Sequence, residues 1–177
     1  MEITGNDDVW GLDHEPNPDL EQVAETCWRA ALAYHRTVDE GESMDVALEG
    51  MDAAQKAGSE RWTIVCRAEA LFDGLFGTYP RFATSLAWAP EARTMETATA
   101  VMRGHVERLE GLDPEASWIC RAYLACLLQG NGQDELAQIE WERSLEQARS
   151  AGSRFAEEEI LCLQKGGMWD DDCAQPG

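Results

Sequence analysis

Apolar residues recur at three- and four-residue steps along most of the chain, the spacing of one face of an α-helix. The first such stripe is Leu20, Val23, Ala24, Cys27, Ala30, Ala31 and Tyr34, which predicts a helix over 18–38. Asn17 and Pro18 supply a cap and a first helical position, and Asp19 and Glu21 suit the positive end of the helix dipole. The helix should stop near Asp39, Glu40 and Gly41. A second stripe, Met44, Ala47, Leu48, Met51 and Ala54, predicts a helix over 43–57 that ends at Ala57-Gly58-Ser59.

The segment 60–76 is apolar nearly all round and keeps only a narrow polar strip, so it should be buried on several sides. Gly77 to Pro80 breaks it, and a short helix is expected over 81–88 before Ala89-Pro90. Met95, Ala98, Val101, Met102, Val106 and Leu109 define a helix over 92–109. Asp113-Pro114 restarts the pattern for a second all-round apolar helix over 114–129. A helix over 133–151 is expected to bury Leu136, Ile139 or Glu140, Trp141, Leu145 and Ala148. A last one over 154–164 carries Phe155, Ile160, Leu161 and Cys162.

No segment alternates with the period of a strand between hairpin turns. The fold expected is therefore all-α, with seven to eight helices. It divides into an acidic arm over 1–17, one helical domain over 18–165 and an acidic tail over 166–177.

Two stretches of the chain match each other. Arg29-Ala30-Ala31-Leu32-Ala33, Gly41, Ala47, Met51, Ala54 and Ala57-Gly58-Ser59 form the first. Arg121-Ala122-Tyr123-Leu124-Ala125, Gly132, Ala137, Trp141, Ser144 and Ala151-Gly152-Ser153 form the second. Each is a helix, a glycine turn, and a second helix with small, large and small residues in step. Such a unit resembles the tetratricopeptide repeat. Leu124, Ala125, Leu128, Gly132, Ala137, Trp141 and Leu145 occupy that family's core spacing. Both units lack its closing proline, and the segment 82–111 does not match. The resemblance implies antiparallel hairpins stacked around a concave groove that binds a peptide or helix, the groove lined by the first helix of each hairpin. The alternative architecture is an irregular α-bundle.

Composition adds a strong charge. The formal net charge is -20, from 34 acidic side chains against 14 Lys plus Arg. Such a field repels nucleic acid and anionic membranes and favours a basic protein partner. With 44% of residues hydrophobic, the chain can still bury a core. No run approaches the roughly 20 apolar residues of a membrane span, and Met1 to Asp19 has no apolar core of a signal peptide. The six cysteines form no C-x-x-C pair, and five fall in apolar helical patterns. They read as reduced thiols of a cytoplasmic protein.

Site chemistry is sparse. The three histidines, His14, His35 and His105, are far apart, and no phosphate loop, dinucleotide fingerprint, nucleophile elbow or zinc-protease motif occurs. A non-catalytic protein without metal or cofactor is expected. Two ways of binding a protein partner remain. In one, an adaptor or chaperone-like groove carries Tyr34 and Tyr123, with Trp62 and Trp141 read as core fillers. In the other, an acidic inhibitor or immunity protein occupies a basic cleft, possibly by nucleic-acid mimicry. Its carriers are Glu42, Asp45, Glu49 and Asp52, which share one helix face, joined by the glutamates 157–159. Trp169 beside three aspartates resembles a short acidic-aromatic docking motif.

Overall fold

The computed structural model describes residues 17–34, 40–76 and 86–166. Among these residues there is no strand, and seven α-helices follow one another. They are α1 (Pro18–Tyr34), α2 (Glu40–Ala57), α3 (Glu60–Phe76), α4 (Met95–Leu112), α5 (Ser117–Gly130), α6 (Asp134–Ser150) and α7 (Arg154–Gln164). Short 3-10 turns at Pro90–Ala92 and Pro114–Ala116 precede α4 and α5.

Local chemistry sets the helix ends. Asn17 Oδ1 accepts the Asp19 amide at 3.1 Å and caps α1. Thr94 and Thr97 exchange side-chain and backbone bonds at 3.1 Å, a full capping box on α4. Ser153 Oγ accepts the Ala156 amide at 3.2 Å and caps α7. The repeated Ala-Gly-Ser triplets do the same work at two helix ends. Gly58 (φ 70) and Gly152 (φ 64) take the left-handed conformation after α2 and α6. The next amide, Ser59 or Ser153, then reaches back to the Ala54 or Ala148 carbonyl at 2.9 Å. Across these turns α2 packs on α3, and α6 packs on α7.

The packing has two halves. α1, α2 and α3 pack on one another, with α1 also touching α3. α4, α5, α6 and α7 pack in sequence, with α5 also touching α7. α3 meets α4 and α5 and joins the halves. As their composition requires, α3 and α5 are the most enclosed helices. Where α1, α2 and α3 meet, Gly50 admits no side chain: a Cβ there would lie 2.8 Å from Cys27 Cβ and 2.9 Å from Cys66 Sγ. Phe72 of α3 stacks on Tyr123 of α5 at 4.2 Å, and Trp28, Trp62 and Trp118 form a second aromatic group.

Several expected faces are rotated. α2 begins at Glu40, so Gly41 lies inside its first turn rather than before it. Val23 is 46% exposed. In α6 the buried stripe is Ala137, Trp141, Ser144 and Ala148, while Leu136 and Ile139 face outward. Glu140 is the cause: it turns inward to an ion pair with buried Arg121, which also holds Glu110 of α4. In α7, Ala156, Glu159, Ile160 and Leu163 are buried, and Phe155 and Leu161 are exposed. Leu86–Trp88 form a turn, not part of a helix; 81–85 lie outside the described residues.

Candidate interaction surfaces

The acidic row on α2 is laid out as its spacing requires. Glu42, Asp45, Glu49 and Asp52 are all exposed. Lys56 pairs with Asp52 at 2.6 Å. The other three make no ion pair among the described residues, so their charge is directed at solvent or a partner. The glutamates of α7 do not join them. Glu157 pairs with Arg149 at 3.2 Å, Glu158 pairs with Arg154 at 2.7 Å, and Glu159 is buried.

Tyr123 does not line a groove, which corrects the sequence reading. It is wholly buried, stacked on Phe72, and its hydroxyl donates to Glu69. Burial first, and the Glu69 charge second, push its phenol well above the usual value. Trp141 is likewise enclosed. Tyr34 is half-buried at the last residue of α1. Trp169 and the acidic tail lie outside the described residues, as do His14 and His35.

The polar strip of α3 turns inward. Glu69 is fully buried, and Asp73, one turn on, accepts a 2.5 Å bond from buried Ser43 of α2. Ser43 also reaches the Ala31 carbonyl at 3.0 Å. The sequence reading did not single out these carboxylates. Their signal is two acids one turn apart in an otherwise apolar helix, which places both on one face. They tie α2, α3 and α5 together by polar bonds inside the core. Among the described residues, no group of three or more His, Cys, Asp or Glu is placed to hold a metal ion. Burial raises the Cys66 and Cys120 thiols, and each is raised further by the Glu69 charge.

A cleft of about 340 Å³ opens where α1, α3, α5 and α7 come together. Its walls are Trp28, Trp62, Trp118 and Phe155. Trp28 lies 5.6 Å from Trp62 and 6.2 Å from Trp118, and Phe155 stands edge-on to Trp118 at 6.4 Å. The indoles are nearly buried, but Phe155 is 39% exposed. Arg29 and Arg61 lie over these rings, and Glu25, Asp113 and Glu115 stand beside them. Apart from Trp62, which was read as a core filler, the sequence reading gave none of these residues a part in binding. Their helices are far apart in sequence, and only tertiary packing brings them together.

No family model matches the chain, and no curated protein or solved structure matches it. The described helices contain none long and apolar enough to cross a membrane.

Proposed function

We propose that this protein is a non-catalytic interaction module that grips a peptide or helix of a protein partner in the aromatic cleft. The cleft is the observation that carries this reading. It sets four aromatic rings, of which Phe155 is the exposed one, beside five charged side chains, and aromatic residues and arginine are the types enriched at binding hot spots. The internal repeat supports it. α1 and α5 are the first helices of the two matching units, and both line the cleft, as tetratricopeptide-like stacking implies for a groove. The test is selection of random displayed peptides on the immobilised protein. Selected peptides should shift tryptophan fluorescence and lose roughly tenfold or more in affinity to a Phe155→Ser variant, the scale of a hot-spot residue. Equal binding by the variant refutes the cleft as the site.

The acidic row supports a second reading, an inhibitor of a basic protein. Glu42, Asp45 and Glu49 are exposed and have no ion pair among the described residues. Binding through this row should weaken steeply with salt and vanish on charge reversal of Asp45 and Glu49, while binding in the cleft should survive that reversal.

A further inference from the structure

Building on the cleft as the binding site, we infer that its ligand is an arginine side chain of a basic partner, taken in exchange for the protein's own Arg29. The rings already hold guanidinium groups. Arg29 Cζ lies 5.9 Å from the Trp28 ring centre and 5.7 Å from that of Phe155. Arg61 Cζ lies 4.9 Å over Trp62. All fall within the roughly 6 Å at which a cation is drawn to an aromatic face. The indoles buttress one another, so these faces are set before a ligand arrives.

The two resident cations are held differently. Arg61 pairs at 2.9 Å with Asp113, the residue that links α4 to the 3-10 turn before α5. Among the described residues the ion-pair partner of Arg29 is Glu25 alone, one turn away on its own helix at 2.9 Å, and the Arg29 side chain is 56% exposed. Such a pair is weak and screened by salt. Arg29 can therefore swing out and leave its place between Trp28 and Phe155 to another guanidinium. Glu25 and Glu115 both line the cleft, and Glu115 has no ion pair among the described residues. The vacated site is a pair of rings with two carboxylates near it, within a chain of net charge -20. That complementarity selects a cation. Two ring faces favour the flat, weakly hydrated guanidinium over the compact ammonium of lysine.

The test uses the full chain and capped hexa-arginine and hexa-lysine peptides, titrated calorimetrically in roughly 0.15 M salt, where distant charges are screened. Arg29→Gln removes the resident cation. Arg154→Gln removes an equal charge from an 89% exposed side chain on α7 and serves as control. Hexa-arginine should bind Arg29→Gln about threefold or more tighter than Arg154→Gln, and Phe155→Ala about threefold or more weaker than the unaltered protein. The unaltered protein should prefer hexa-arginine to hexa-lysine. Equal effects of the two arginine substitutions, or no effect of Phe155→Ala, overturn the exchange and leave only bulk attraction. Selected neutral peptides that still need Phe155 would then preserve the module reading. If no peptide of any kind needs Phe155, both fall.

Discussion

His105 shows how a single residue's placement becomes a measurable property. It lies on α4, its Nε2 is enclosed, and that atom has no hydrogen-bond partner among the described residues. Burial first, and the Arg67 charge second, lower its pKa from 6.5 to about 4. The unfolded chain therefore takes up a proton at higher pH than the folded one. Stability from this group is complete above about pH 6.5 and is lost as pH falls towards 4, to a total of about 3 kcal/mol. Urea midpoints between pH 7.5 and 4.5 check this. The unaltered protein should lose more stability over that range than a His105→Leu variant. Parallel curves would show that His105 titrates normally. The sequence marked His105 only as a histidine far from any other. Its burial depends on α3 lying beside α4, a contact between segments separated in the chain.

At the scale of elements, periodicity located the helices well and their orientation less well. The all-round apolar segments are α3 and α5, the two enclosed helices, because no rotation of such a helix hides its apolar surface otherwise. In α6 the expected stripe holds at Trp141, Ala148 and the Glu140 alternative but not at Leu136, and in α7 it holds at Ile160 but not at Phe155 or Leu161, because buried charges fix the rotation: Glu140 answers Arg121 on another helix, and Glu159 is enclosed. Periodicity left Ile139 and Glu140 as alternatives, and nothing local announces the Arg121 partner or the burial of Glu159. Turn chemistry was more legible, since the Ala-Gly-Ser triplets require a left-handed residue whatever the tertiary context. Gly152→Ala places a side chain at φ 64 and should cost about 1 kcal/mol. Gly104→Ala, in the exposed middle of α4 with open space around its Cβ, should add about 0.5–1 kcal/mol. Chemical denaturation of the two variants measures both, and effects of the same sign would refute the argument.

At the scale of the whole molecule, the net charge of -20 works against compactness. The exposed pairs on its surface offset little of this, because solvent and side-chain entropy cancel most of their attraction. Raising sodium chloride from about 0.01 to 0.5 M should therefore raise Tm by about 3–6 °C, since repulsion is screened more than pairing is lost. Circular dichroism melting curves read it directly, and a falling Tm would mean that the surface pairs outweigh the repulsion. The aromatic cleft also belongs to this scale, because four helices from both halves build it. That is why one-dimensional patterns showed the α2 acids and left the cleft unseen. The enclosed thiols carry a further consequence. Cys66 sits where α1, α2 and α3 meet, and Cys120 sits in α5, so each half contains a group that a thiol reagent reaches only when that half opens. The molecule thus carries two internal clocks: labelling in step means that the halves breathe as one cooperative unit, and labelling out of step means that they part along α3.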